Sequence, residues 1–274
     1  MKLHPLVIIA LSAALNGCAV PSSTVSTPTG TDLTGNWEFA ATSSTRGSAP
    51  IGIYLIQSGN TVSGIAGVQM AFAMCIGQDG IPCAFPFGVI NPNLGGTVYA
   101  NGKVTLGSST GGTLPATLSV TASSTNTSTL SGTYSITMGT ASDSGTVTGN
   151  LIAPVNGTYT GTVVSTYTGQ SMGVTMTVSQ LPGIDSYGFL RLTSSASFTG
   201  SSCFSALTSG GPPATYSGLL GNSLYIEFVG ASNPNISVAA FGAVSPDAKT
   251  IQFHYGVIGG GCADDIGNGT LTRQ

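Results

Sequence analysis

The chain has 274 residues, of which 5% are charged; six Lys and Arg against nine Asp and Glu give a formal net charge of −3. With so few cations there is no basic stripe to neutralise phosphates, which argues against nucleic acid as a partner. The 40 glycines and the scarcity of Lys, Glu and Arg disfavour helices, so we expect an all-β protein.

The N-terminus has the pattern of an export signal. Met1-Lys2 supplies a short positive region, and Leu6 to Leu15 follow as an apolar run. This run is too short to span a bilayer as a mature helix, so it predicts a cleaved signal peptide over residues 1–17.

The residues Leu15-Asn16-Gly17-Cys18 resemble the lipobox of bacterial lipoproteins, although Asn16 departs from the small residue usual there. The resemblance implies that the thiol of Cys18 takes up diacylglycerol and that acyl chains anchor the protein to a membrane. Ala19 follows the cysteine, which implies the outer membrane in Gram-negative bacteria. The alternative is an ordinary signal peptide cleaved near Ala19, without a lipid.

Composition divides the rest of the chain. Residues 18–32 begin with the cysteine and continue as a Ser-, Thr- and Pro-rich stretch that buries too little apolar surface to fold, which predicts a flexible tether. The remaining chain is long enough for one large domain or two small ones. We predict a first β-domain at 33–152 and a second at 153–274.

Alternation of apolar and polar residues recurs along the folded part. It is clear in Ile51-Ile53-Leu55, in Met172-Val174-Met176-Val178 and in Ile251-Phe253-Tyr255-Val257. Such strands bury one face and expose the other, as antiparallel sheets allow. About eight strands fit into each half. Between two of them, Asn101-Gly102 predicts a hairpin with a type I′ turn.

A faint internal repeat favours two similar halves. Gly35-Asn36-Trp37 corresponds to Gly157-Thr158-Tyr159, the Asn101-Gly102 hairpin to Gly221-Asn222, and the segment beginning at Asp143 to the one beginning at Asp265. We therefore predict an antiparallel meander that forms two small β-barrels in tandem, with one large barrel or a β-sandwich as the alternative.

The start of the first half, Leu33 to Phe39, contains Gly35-Asn36-Trp37 and resembles the G-x-W opening of lipocalins and related calycin barrels. In that family the Trp closes one barrel end, and a late basic residue packs over it. Arg273 is badly placed to do so in the first half, which offers only Arg46 and Lys103. Tyr159 replaces the Trp in the second half, so closure there must differ.

The five cysteines fit an oxidising compartment, because Cys18 is set aside for the lipid and four remain. Three disulfide connectivities are possible. We prefer Cys75 with Cys83, across a turn-rich loop, and Cys203 with Cys262, since both lie in the second half. A zinc site is disfavoured because the chain has no Cys-x-x-Cys pair and His254 is the single histidine left after processing.

The sequence offers few groups for catalysis, and we predict neither an enzyme nor a cofactor. His254 is out of phase with its apolar neighbours, which indicates a solvent-facing strand residue. Asp264 and Asp265 lie in a Gly-rich loop, where turn formation is their simplest role. Glu227 lies either on the solvent-exposed face of a strand or inside a barrel. Inside a barrel its carboxylate would need a cationic partner such as Arg191.

Two hypotheses about function are consistent with the sequence. The first is a lipid-anchored binding module whose barrels capture a small apolar ligand, a glycan or an envelope partner. The second is a structural surface protein with no small-molecule ligand, which suits the Ser, Thr, Gly and Asn coat. An open lumen favours the first, and a barrel filled by its own side chains favours the second.

Overall fold

The computed structural model describes residues 32–45, 47–69, 87–108, 116–138, 140–185, 188–201, 206–209, 217–231 and 235–274. The predicted signal peptide, Cys18 and the tether up to residue 31 lie outside the described residues. Arg46, Cys75, Cys83 and Cys203 lie outside them as well.

The first eight strands form a closed antiparallel barrel in which each strand pairs with the next and β8 pairs back with β1. Their bounds are β1 Gly35–Ser43, β2 Gly47–Ser58, β3 Thr61–Gln69, β4 Phe87–Val98, β5 Lys103–Ser108, β6 Ala116–Asn126, β7 Thr129–Met138 and β8 Ala141–Leu151.

The second half forms another closed antiparallel barrel. Its strands are β9 Gly157–Ser165, β10 Ser171–Ile184, β11 Leu190–Thr199, β12 Ala206–Thr208, β13 Ser217–Leu220, β14 Ser223–Gly230, β15 Ser237–Val244, β16 Thr250–Ile258 and β17 Ile266–Arg273. The short β12 and β13 share one position in the wall, because both pair with β11 on one side and with β14 on the other. Nine strands thus make an eight-position barrel, closed by β17 against β9.

The prediction of two antiparallel barrels in tandem is confirmed, and the alternatives of one large barrel or a sandwich are wrong. Each half carries enough alternating strands to close on itself, and closure pairs the edge strands that an open sheet would leave exposed.

The alternating residues point into the barrels as the sequence predicts. Ile53 and Leu55 are fully buried in the first barrel, as are Met176 and Phe253 in the second. Each barrel has its own apolar core. The largest fully buried side chains include Trp37, Phe39, Tyr159, Tyr255, Phe228 and Phe253.

The hairpin at Asn101-Gly102 exists, but its predicted type I′ turn is wrong. A type I′ turn needs positive φ at both central residues; Gly102 has φ 79°, whereas Asn101 is not among the positive-φ residues. The amide of Gly102 donates to the carbonyl of Tyr99, and the amide of Tyr99 donates to the carbonyl of Lys103. The loop therefore has three residues, and the single left-handed conformation falls on glycine, where it costs least.

The two barrels meet where the β13–β14 turn contacts β1 and β2. The side-chain amide of Asn36 donates to the carbonyl of Gly221 at 2.8 Å, and its oxygen accepts from the Gly221 amide at 2.7 Å. Asn36 is buried, with 4% of its surface exposed. A Cβ on Gly52 would lie 2.8 Å from the carbonyl of Leu220, so this glycine is needed for the close approach.

Candidate functional site

A compact hydrogen-bonded cluster lies at one end of the first barrel. The hydroxyl of Ser43, the last residue of β1, donates to Asp143 Oδ1 at 2.6 Å. The hydroxyl of Tyr134 on β7 donates to Asp143 Oδ2 at 2.7 Å. One carboxylate on β8 thereby joins the preceding strand β7 and β1, which is 100 residues away in sequence. We call this group the first Ser-Asp-Tyr cluster.

The second barrel repeats this arrangement. The hydroxyl of Ser165, the last residue of β9, donates to Asp265 Oδ1 at 2.6 Å, and that of Tyr255 on β16 donates to Asp265 Oδ2 at 3.0 Å. The offset is 122, from residue 43 to residue 165 and from residue 143 to residue 265. The backbone agrees, since the amide of Ser44 donates to the carbonyl of Ser144 just as the amide of Thr166 donates to that of Ile266. We call this group the second Ser-Asp-Tyr cluster. It shows that the internal repeat of the sequence corresponds to a repeated set of hydrogen bonds.

The chemistry of both clusters favours strand closure. Burial raises the pKa of Tyr134 and of Tyr255, and the nearby negative Asp raises it further in each case. The tyrosines therefore keep their protons and act as donors to the carboxylates. In both clusters the serine proton also points to the carboxylate, so each hydroxyl contributes to a bond between neighbouring strands.

The opposite barrel ends are closed by the Gly-x-aromatic segments. The indole N–H of Trp37 donates to the carbonyl of Leu33 at 2.8 Å. The hydroxyl of Tyr159 donates to Val155, again four residues earlier, at 3.4 Å and to Ala248 at 2.9 Å. Both rings are fully buried.

Different residues cover these two segments. A Cβ on Gly157 would lie 2.9 Å from Nε of Arg273, whereas a Cβ on Gly35 would lie 2.7 Å from Cδ1 of Leu151. Burial raises the pKa of Tyr159, and the charge of Arg273 opposes that rise. Arg273, which the sequence places badly for the first barrel, therefore lies at the Gly-x-aromatic segment of the second barrel. Lys103, offered for the first barrel, instead lies over the ring of Tyr99 at 5.8 Å.

His254 lies on the outer face of β16, as its phase predicts. It stacks on Phe241 of the neighbouring strand, with ring centroids 5.8 Å apart and an interplanar angle of 12°. Partial burial lowers the pKa of the imidazole, so the neutral ring is favoured in this stack.

The predicted acidic candidates fall in different places. Asp264 is exposed and occupies a turn with φ 73°, whereas Asp265 is buried in the second Ser-Asp-Tyr cluster. Glu227 lies on the outside of β14, not in the lumen, since the neighbouring residues on that strand point inward. Arg191 is also outside, and within the described residues no ion pair joins it to Glu227.

Cys262 ends a short 3-10 turn, Gly260–Cys262, and is disulfide-bonded. Its partner lies outside the described residues, so the proposed pairings of Cys203 with Cys262 and of Cys75 with Cys83 stay predictions.

The wall of the first barrel carries an open groove of about 390 Å³ between β3 and β4. The pairing of the two strands is irregular near Gly64 and Ala66, and the groove is lined by Ser63, Gly64, Ile65, Asn93, Leu94 and Gly95. The groove is shallow and lies outside the barrel core. Within the described ranges no group of three His, Cys, Asp or Glu residues could hold a metal ion, and no helix has the length and apolarity to cross a membrane.

Sequence reasoning found Asp143 and Asp265 as repeat markers but missed their hydroxyl partners. The available signal was that a serine ends both Gly-x-aromatic strands, at Ser43 and Ser165. The tyrosines were harder to find, because Tyr134 and Tyr255 join the repeat with an offset of 121 instead of 122.

No family model matches this chain, and no curated protein matches it. Among solved structures, it is similar to a protein of unknown function from the DUF3598 family of Nostoc punctiforme. That similarity covers 89% of this chain and 97% of the other, with 11% sequence identity and a TM-score of 0.28.

Proposed function

We propose that this protein is an envelope-anchored lipoprotein that works through its outer surface, as a structural surface component without an enclosed small-molecule ligand. Lipid at Cys18 holds it to a membrane, with the outer membrane as the expected location. The stretch from Cys18 to Asp32 separates the barrels from the anchor.

The observation that carries the proposal is the filling of both barrels by their own side chains. An eight-stranded barrel has an interior just wide enough for side chains. Trp37 and Phe39 occupy the first interior, and Phe228, Phe253 and Tyr255 occupy the second, all fully buried. A lumen packed in this way supports the structural hypothesis over capture of a small apolar ligand inside a barrel.

Native mass spectrometry of the membrane-extracted protein tests for an enclosed ligand. We expect only the mass of the lipidated chain, and no thermal shift with a panel of fatty acids and sterols. A stoichiometric ligand that co-purifies with the protein, or a saturable shift with one of the apolar compounds, would contradict the proposal.

Substitution of the acylated residue tests the anchor separately. We expect Cys18→Ala to move the protein from the membrane fraction to the periplasm or the medium. The matched control is Ser22→Ala in the tether, which should stay with the membrane. Retention of the Cys18→Ala protein in the membrane fraction would count against the lipid.

A further inference from the structure

The outer face of β6, β7 and β8 carries twelve hydroxyl side chains, which occupy four successive outward positions on each strand. All twelve residues are exposed, and none is charged. They are Thr117, Ser119, Thr121 and Ser123 on β6, Ser131, Thr133, Ser135 and Thr137 on β7, and Ser142, Ser144, Thr146 and Thr148 on β8. We call this surface the hydroxyl face.

The strand register aligns these side chains in rows. Thr121 pairs with Thr133, and Thr133 pairs with Thr146. The same row extends to Thr105 on β5 and to Thr42 on β1. Hydroxyls therefore repeat about every 4.8 Å across the strands and about every 6.7 Å along them.

The barrel fold does not require these hydroxyls on β6 and β7, because β15 and β16, the corresponding strands of the second barrel, carry other residues at most of their outward positions. There, β15 presents Ala239, Phe241 and Ala243 on the outside, and β16 presents Gln252 and His254. Both barrels nevertheless share their closure and their Ser-Asp-Tyr clusters. The second barrel carries exposed hydroxyls on other strands: Ser171, Thr175, Thr177 and Ser179 on β10, and Ser195, Ser197 and Thr199 on β11. The hydroxyl face of the first barrel differs in that it covers three adjacent strands without interruption.

We propose that the hydroxyl face binds a neutral polysaccharide of the envelope, an inference that rests on the proposed surface function. An uncharged polymer matches a face without charge, since it buries no unpaired ion. Sugar hydroxyls and Ser or Thr hydroxyls are both donors and acceptors, so each can satisfy the other. A flexible glycan chain can also follow the curved row of hydroxyls from β5 to β1, whereas a flat and rigid surface can contact only part of that row.

Retention of the lipidated full-length protein in detergent on cellulose, curdlan and dextran beads tests this inference. We expect retention on at least one of the three, insensitive to salt because no charge is involved, and weaker retention on dextran sulfate. The triple variant Thr121→Val, Thr133→Val and Thr146→Val removes one row of hydroxyls while it keeps the shape and strand propensity of each residue. It should lose at least fivefold in retention.

The matched control is the variant Thr162→Val, Thr175→Val and Thr272→Val, which changes three exposed threonines of the second barrel and should bind as the wild type does. Circular dichroism and thermal melts should show that both triple variants fold. Absence of retention on all three neutral beads, or undiminished retention of the first variant, would overturn the inference. Inhibition of ice recrystallisation without glycan retention would overturn it too and would assign the face to ordered water. None of these results changes the outcome of the mass-spectrometric test, so failure of this inference can be told apart from failure of the proposed function.

Discussion

Asp265 combines burial with two hydroxyl donors, which makes it sensitive to a change of one atom. With 8% of its surface exposed, it accepts from Ser165 and Tyr255. Hydrogen bonds to a charged group contribute about 1.5–3 kcal/mol each. Asp265→Asn places an NH₂ group against a hydroxyl that was donating, so we expect a loss of about 1–3 kcal/mol in the free energy of unfolding, measured by urea denaturation.

The neighbouring residue provides the control. Asp264 is exposed at positive φ, a conformation that Asn tolerates as well as Asp does. Asp264→Asn should therefore leave the urea midpoint unchanged or slightly raised. Equal effects of the two substitutions would show that the second Ser-Asp-Tyr cluster does not stabilise the barrel.

The outward-facing Tyr225 predicts a loss of stability in alkali. Burial, with a contribution from Glu227, raises its pKa from 10.0 to about 12. The folded protein then binds the phenolic proton more tightly than the unfolded chain does, so this contribution is complete below pH 10 and is lost as the pH rises towards 12. We expect the free energy of unfolding to fall less steeply over this range in Tyr225→Phe than in the wild type. Tyr167→Phe, at a side chain that is 83% exposed, should retain the wild-type slope.

At the scale of the elements, the contact between β2 and the β13–β14 turn depends on Gly52. A methyl group there would meet the Leu220 carbonyl at 2.8 Å, which forces the turn away from the sheet. We expect Gly52→Ala to destabilise the protein by about 1–3 kcal/mol, measured by thermal unfolding. Gly95 on β4 is the control, because a Cβ there meets nothing within 4 Å; similar losses from both variants would refute a specific role of this contact.

The strands were largely predictable, and the reason is visible in individual residues. Ile51, Ile53 and Leu55 alternate with smaller or more polar neighbours, and burial of one face is what a barrel wall requires. The division of one wall position between β12 and β13 could not be predicted, since Ala206–Thr208 is too short to show a period. The Ser-Asp-Tyr clusters also escaped prediction, because Ser165 and Asp265 are 100 residues apart and only closure brings them together.

At the scale of the whole molecule, Asn36 couples the two barrels. Its side chain satisfies both the amide and the carbonyl of Gly221 in a buried contact. We expect the wild type to unfold in one calorimetric transition and Asn36→Ala to unfold in two, because a buried peptide group left without partners costs about 1–3 kcal/mol per group. Asn268→Ala, on the exposed face of β17, should keep one transition. A single transition in Asn36→Ala would show that the barrels are coupled by other contacts.

Equivalent hydrogen bonds at an interval of 122 residues hold together two barrels whose outer walls differ in part. Two copies in one polypeptide relax the demands on each, since either can alter its exterior while its interior and closing bonds persist. Each half can therefore take on different contacts with its surroundings while it remains a folded body beside the other.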